Sequence, residues 1–267
     1  MTDSASSVWL GPLRRPVRNL AIALIGLTLL IGFWVILTPS EGTAVLQVVP
    51  SLGKPVIQAF LIALTSALFM TAVYLSDRVG AIEVQPTGPM DLLSLVLSRV
   101  AMLGVIAVVC IMFYEVISRY VFVKPTLWAN ELSLWIAAFI FLLAGLYAMQ
   151  QRSHIRIYII YDVMPRWMRK VCDVISLFLI WFFCFAMIWG SFNEARDKLL
   201  RMETFGTAWD PPIPATVKTA MLIIISLVAL QALSNLIADW RKEPKSHSPM
   251  DDIDEVEIEN IRRTVQK

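Results

Sequence analysis

Long stretches without any charged residue are the feature of this chain that most constrains its fold. Five of them cover residues 19–40, 55–76, 132–151, 174–193 and 219–238. An α-helix rises 1.5 Å per residue, so about 20 apolar residues cross the ~30 Å hydrocarbon core of a bilayer. Each of the five stretches therefore predicts one transmembrane helix.

A sixth apolar stretch differs because its uncharged part, residues 100–114, is too short to cross a bilayer. Fifteen residues of helix reach only about 22 Å. Extending the helix to residue 118 gives a sufficient length, but it places Glu115 in the last turn. The predicted fold class is therefore all-α, a polytopic membrane protein with six transmembrane helices.

The composition excludes several classes of protein. Hydrophobic residues make up 57% of the chain and charged residues 16%, whereas soluble proteins average roughly 45–50% and about 25%. Such a chain lacks the polar surface that a soluble enzyme, a nucleic-acid-binding protein or a disordered chain requires. Membrane lipid is the expected surrounding, and nucleic acid is not an expected partner.

The distribution of Lys and Arg predicts the orientation in the membrane. Six helices divide the chain into seven polar segments, and the odd-numbered segments carry 16 of the basic residues while the even-numbered segments carry 7. Basic residues accumulate on the cytoplasmic side of membrane proteins. We therefore expect both termini in the cytoplasm of a cell whose inner membrane holds the protein.

Breaks in the sequence predict three units. Two prolines and a glycine in residues 84–90 separate a two-helix hairpin (1–83) from a four-helix unit (90–241). The remainder, 242–267, contains six acidic residues within nine positions, 251–259. This acidic tail is interpreted either as a solvated, disordered segment or as a short helix that docks on a partner.

The residues that catalysis or cofactor binding would require are scarce. The two histidines lie outside the spans, and Cys110, Cys172 and Cys184 are widely spaced in or beside apolar helices. No nucleotide-binding or zinc-binding motif is present. We predict neither an enzyme nor a bound metal or cofactor. The uncharged, proline-free middles of five spans also favour a structural subunit over a substrate pathway.

The end of the third helix carries the most distinctive polar residues. Glu115 and Arg119 are four residues apart, in the order that favours an ion pair on one helix face. The pair is interpreted either as self-satisfied or as an anchor for a neighbouring helix or subunit. Trp128 and Glu131 begin the fourth helix, and we hypothesise a Glu115–Arg119–Glu131 cluster that ties the two helices together.

A short basic segment, which contains Arg152 and His154, follows the fourth helix. It is interpreted either as charge that sets the orientation or as a contact with a partner's loops or with anionic lipid. A single histidine among arginines does not predict a metal site.

Taken together, these short motifs resemble the DctQ-like small subunit of tripartite ATP-independent periplasmic (TRAP) transporters. The residues that carry the resemblance are Glu115, Arg119, Tyr120, Trp128, Glu131, Arg152 and His154. They follow the family's E-x-x-x-R-Y, W-x-x-E-L and R-x-x-H-I patterns, except that Arg152 is one residue closer to His154 and Gln151 occupies the usual arginine position. The resemblance covers about residues 90–241, and the two helices before them have no counterpart in it.

The resemblance implies a sodium-driven transporter for an organic acid, often a carboxylate. In such systems a periplasmic substrate-binding protein captures the substrate, and a large permease subunit holds the substrate and sodium sites. The small subunit braces the large one and helps to dock the binding protein. The residues named above are then candidates for structural or subunit contacts. The alternative is a membrane anchor or assembly subunit of another multi-subunit inner-membrane complex.

Overall fold

A computed structural model describes residues 7–38, 54–80, 83–152 and 164–240. The described residues are helical and contain no strand. A 3-10 turn over Gly11–Leu13 leads into six α-helices. They are α1 (Arg14–Leu37), α2 (Pro55–Ser76), α3 (Pro89–Tyr120), α4 (Ala129–Gln150), α5 (Arg166–Leu200) and α6 (Ile213–Asp239). All six are long and apolar enough to cross a membrane, which confirms the predicted fold class.

A proline and an aspartate that binds the preceding loop explain where the third helix starts. Pro89 occupies its first turn, where the missing N–H costs nothing. The Asp91 carboxylate accepts hydrogen bonds from the backbone N–H and the hydroxyl of Thr87, at 3.0 and 2.9 Å. These contacts start α3 about ten residues before the uncharged stretch. The helix has 32 residues and a length of about 48 Å, so it contains the span expected over residues 100–118, with Glu115 near its end, but begins about ten residues earlier.

The helices follow one another across the molecule in the order α1, α2, α3, α4, α6, α5. The main packing contacts join α1 to α2, α2 to α3, α3 to α4, α4 to α6 and α6 to α5, with a smaller contact between α3 and α6. The outer positions of this row belong to α1 and α5. In α5 only Cys184 and Ala195 are buried, although the helix has 35 residues.

The helices end at two opposite surfaces of the bundle, and these two ends carry different polar clusters. We call the end at which α1 begins and α6 ends the terminal end, and the other the distal end. The hydrogen bond from Val8 N to the Asp77 carbonyl brings the start of α1 to the end of α2 at the terminal end. The expected acidic tail and His154 lie outside the described residues.

Candidate structural site at the helix ends

Glu115 joins α3 to the loop that follows it at the distal end. Its Oε1 accepts hydrogen bonds from Arg119 Nε at 2.9 Å and from Arg119 Nη2 at 2.5 Å. Its Oε2 accepts the Thr126 backbone N–H at 3.1 Å and also the Thr126 hydroxyl. The Glu115 side chain is 4% exposed and that of Arg119 is 42% exposed. The i,i+4 pair expected from the sequence is therefore present, and it also holds the loop.

The loop between α3 and α4 has a fixed and strained shape. Val123 has a φ of 54°, which is rare for a β-branched residue. The Ser118 hydroxyl donates to the Lys124 carbonyl at 2.5 Å, and Lys124 N donates to the Ser118 carbonyl at 2.9 Å. Strain of this kind persists only where surrounding contacts enforce it, and it is common at functional sites.

The same loop exposes a cluster of large apolar side chains. Their exposed fractions lie between 66% and 79% for Tyr120, Val121, Phe122, Val123 and Leu127. Just beyond them, Trp128 stacks on Tyr114 of α3, with ring centroids 5.8 Å apart. The loop therefore presents an apolar surface on a rigid support, beside the partly exposed charge of Arg119.

Glu131 does not join the Glu115–Arg119 pair. Its carboxylate accepts a hydrogen bond from the Thr207 hydroxyl at 2.6 Å, in the connection between α5 and α6. Within the described part of the chain, the ion-pair partner of Arg119 is Glu115. Among the described residues, the hypothesised three-residue cluster is therefore not seen as a set of direct contacts, and Glu131 bonds to the α5–α6 connection instead.

Trp135 extends the Glu131 contact by one helical turn. Its indole N–H donates to the Thr216 hydroxyl on α6 at 2.8 Å, and its ring meets Trp209 edge to face at 6.5 Å. The connection itself is closed by a hydrogen bond from Gly206 N to Asp210 at 2.6 Å. This hydrogen bond is the main reason that the pKa of Asp210 lies below its usual range. The distal end thus has two separate polar contacts, one on α3 and one on α6.

At the terminal end, Arg152 links the end of α4 to the end of α6. Its Nε donates to Asp239 at 2.6 Å, and its φ of 55° turns the chain immediately after the helix. Arg152, one of the residues that carry the resemblance, therefore forms a contact between two helices.

Buried polar contacts at the same end were missed in the sequence. The Gln231 amide N donates to Asp91 at 2.6 Å, and its carbonyl accepts the Ser94 hydroxyl at 2.8 Å. Asn235 donates to the Met149 carbonyl at 2.7 Å. The available signal was the pair of amides, four residues apart, inside an otherwise apolar span. Such amides require partners when they are buried.

A second missed contact fixes the linker between α2 and α3. Arg99 donates to both carboxylate oxygens of Glu83, at 2.9 and 2.6 Å, and Tyr147 donates to the same carboxylate at 2.6 Å. Burial alone would raise the pKa of Glu83. The bonds from Arg99, Tyr147 and the Gly80 backbone outweigh it and lower that pKa to about 2.

A third buried contact joins α1 to α2. Asp77 accepts hydrogen bonds from the backbone N–H groups of Val8, Trp9 and Leu10, at 2.9–3.1 Å, and from Arg14 Nη1 at 3.0 Å. Burial opposes ionisation of Asp77, but the backbone hydrogen bonds, the Ser7 hydroxyl and the Arg14 charge together lower its pKa.

These clusters hold helices together and offer little for chemistry. The carboxylates described above are occupied by donors from the protein itself. Among the residues with a described structure, no group of three or more His, Cys, Asp or Glu residues is placed to hold a metal ion. The arrangement therefore acts as a set of helix ties.

The family comparison agrees with this interpretation. The family model described as "Tripartite ATP-independent periplasmic transporters, DctQ component" matches residues 108–242, about half of the chain. No curated protein matches the sequence. The family is a transporter component and not an enzyme, which confirms the expectation of no catalytic activity. With its six apolar helices, the chain is a multi-pass inner-membrane protein. It belongs to the DctQ family, the small membrane component of TRAP transporters.

Proposed function

We propose that this subunit braces the large permease subunit in the membrane and helps to dock the periplasmic substrate-binding protein. The observation that carries the proposal is the rigid apolar loop at the distal end, supported by Glu115 and flanked by Arg119. A preorganised surface loses little entropy when a partner binds. Family membership supports the two partners, and it also favours sodium as the coupling ion and an organic acid as the substrate.

We further propose that both termini face the cytoplasm. The excess of basic residues in the odd-numbered polar segments supports this orientation. The distal end, with the loop between α3 and α4, then faces the periplasm, where a soluble binding protein is available. Labelling of single cysteines placed at 122 and at 78 with a membrane-impermeant maleimide tests it. Labelling of intact cells at 78 and not at 122 would contradict the orientation.

The hairpin of α1 and α2 is proposed as an additional unit attached to the four-helix core, with the acidic tail as a third segment. The family match begins at residue 108, after the hairpin, and α1 packs mainly against α2. Deleting residues 1–78 from the co-expressed complex, which retains Glu83 as the partner of Arg99, should leave the large subunit bound. Complete loss of that association would show that the hairpin is part of the brace.

The experiment that tests the function is co-purification with the large permease subunit of the same transporter. We expect Arg119→Ala and Glu131→Ala to lower the yield of the complex severalfold while the substrate preference of the remaining transporter stays unchanged. Arg196→Ala is the matched control, because Arg196 is a distal arginine whose exposed ion pair with Asp197 contributes little.

Transport assays distinguish a subunit that braces the large permease subunit from one that transports the substrate itself. Vesicles that contain both membrane subunits, with the binding protein added, should take up an organic acid when a sodium gradient is imposed. Vesicles that contain this chain alone should not. Uptake by this chain alone, or a changed substrate preference with full assembly in the two distal variants, would refute the bracing role.

A further inference from the structure

One face of α5 carries a regular row of aromatic side chains that no other part of the described chain covers. Its members recur at intervals of four, three, four and three residues. We call this row the aromatic seam, and it consists of Phe178, Phe182, Phe185, Trp189 and Phe192. The exposed fractions of these side chains lie between 53% and 78%.

The seam lies away from the contact between α5 and α6. At about 100° per residue, the seam positions lie between roughly 80° (Phe192) and 160° (Phe182) around the helix from the buried Cys184. Stacking joins neighbouring rings along the seam, with centroids 6.5 Å apart for Phe178 and Phe182 and 5.9 Å apart for Phe185 and Trp189. The rings therefore form a stacked ridge on a lateral face of α5, the last helix in the row.

The spacing is that of a helix–helix contact. A 4-3 repeat keeps one row of side chains facing a partner helix that crosses at about 20°, as in left-handed coiled coils. If each aromatic side chain has about 200 Å² to bury, the exposed parts of the five rings offer roughly 600 Å². That area is most of the ~800 Å² that each partner contributes to a standard protein interface.

The other outer helix shows what a surface turned to lipid looks like in this molecule. The exposed large side chains of α1 are mostly Leu and Ile and are widely distributed around the helix, as at Ile22, Ile25 and Leu30. Lipid tails are about as apolar as leucine, so contact with lipid requires neither aromatic rings nor a 4-3 repeat. The α1–α2 hairpin packs on α3 at one side of the four-helix unit. The opposite side, formed by α5, is not covered by another described helix and is open to a partner.

We infer that the aromatic seam receives a transmembrane helix of the large permease subunit. This inference rests on the proposed association of the two subunits and specifies which helix forms it. The partner helix should cross α5 at a small angle and present small or aliphatic side chains, such as Ala, Gly and Val, between the rings. Large rings on one helix pack closely only where the facing positions leave room.

Photo-cross-linking distinguishes the seam from the rest of α5. A p-benzoyl-phenylalanine is placed at residue 182 or at residue 183, and the chain is co-expressed with the large subunit. Phe183 is the matched control, since it is the same residue type, is 58% exposed compared with 62% for Phe182, and points about 100° away. We expect position 182 to give at least ~10-fold more adduct with the large subunit than position 183.

Truncation of the seam measures its contribution to assembly. The combined change Phe182→Ala, Phe185→Ala and Trp189→Ala should lower the recovery of the large subunit at least ~10-fold, because aromatic anchors dominate interface energies. The control change Phe183→Ala with Leu179→Ala should leave the recovery within about twofold. Thermal unfolding of each variant without its partner verifies that the chain is folded.

The outcomes separate this inference from the proposed function. If the wild-type chain does not recover the large subunit at all, both fail. If it does, but the seam variant recovers as much as the control variant, only the seam assignment fails. An adduct between two copies of this chain, or adducts with lipid alone at position 182, would also overturn it.

Discussion

The two outer helices of the row, α1 and α5, are attached to their neighbours in opposite ways. Asp77 and Arg14, which fix α1 at the terminal end, are 0% and 2% exposed. The ion pair that attaches α5 to α6 lies at the distal end, where Lys218 of α6 contacts Glu194 of α5, whose side chain is 52% exposed. The ion pair that fixes α1 is therefore internal, whereas the ion pair between α5 and α6 is one that water and salt weaken.

This contrast indicates which side of the molecule is complete without a partner. Buried ion pairs leave uncompensated charge when one member is lost, so α1 and α2 behave as one unit. Exposed ion pairs contribute about 0–1 kcal/mol each, so α5 gains little rigidity from them. A helix of 35 residues with two buried side chains and weak ties is suited to being stabilised by a second subunit.

The largest effect is expected at the internal attachment. Asp77→Ala removes the carboxylate that accepts hydrogen bonds from Trp9 N, Leu10 N and Arg14, which should cost about 3–5 kcal/mol. Hydrogen exchange measured by mass spectrometry on the purified chain should show faster exchange throughout the first turns of α1. Asp197→Ala is the control, because its ion pair is exposed. Equal effects of the two changes would remove the distinction between the two attachments.

The next largest effect concerns Glu83, which attaches the linker after the hairpin to α3 and α4. Its pKa is lowered to about 2, so its stabilising effect is complete above the ordinary value of 4.5 and is lost as the pH falls from there to about 2. Glu83→Gln should lower the free energy of unfolding at neutral pH by about 2 kcal/mol and reduce its dependence on pH in that window.

Tyr147→Phe is the matched control for the acid experiment. It removes one hydrogen bond to Glu83 and retains the ion pair with Arg99, so it should cost about 1 kcal/mol while the acid dependence stays. Unfolding followed by tryptophan fluorescence between pH 2 and 7 measures both variants. An unchanged pH profile in Glu83→Gln would mean that this carboxylate is not fixed as the structure shows.

The sequence predicted most of the fold because bilayer crossing depends on length and hydropathy, which are local properties. All six predicted helices are present. The start of α3 was misplaced because Asp91 and Arg99 were counted as charges that end a span. Asp91 accepts a hydrogen bond from Gln231, and Arg99 forms an ion pair with Glu83. Gln231 is distant from Asp91 in the sequence, and no local sequence pattern shows either contact.

In the candidate site as well, the contact within one helix was predicted from the sequence, whereas the contact between distant segments was not. Glu115 and Arg119 were paired correctly because both lie on one helix, four residues apart. The hydrogen bond between Glu131 and Thr207 was not predicted, since it depends on how α4 packs between α3 and α6. The subunit contacts proposed for these residues stay predictions, because they require a second chain.

A smaller effect is expected at the exposed attachment of α5. Lys218→Ala removes its ion pair with Glu194 and should weaken the α5–α6 contact by up to about 1 kcal/mol. In a chain whose Cys110 and Cys172 are replaced by Ser, the reaction of buried Cys184 with a thiol reagent should become up to ~5-fold faster. Wild-type reactivity should approach that of the variant at 1 M salt. A reactivity that is independent of both salt and Lys218 would show that packing alone holds α5.

The smallest effect is expected at the terminal end of the same helix. The Lys170 ammonium lies over the Trp240 ring at 4.8 Å, and an exposed contact of this kind contributes about 0.5–1 kcal/mol. Cys184 is 14 residues further along α5, about 21 Å away, so Lys170→Ala should change its reactivity less than twofold. Lys170→Arg retains the cation and should leave the rate unchanged. If Lys170→Ala raised the reactivity of Cys184 as much as Lys218→Ala does, α5 would move as one rigid rod. Binding of the large subunit anywhere along α5 would then protect both of its ends together.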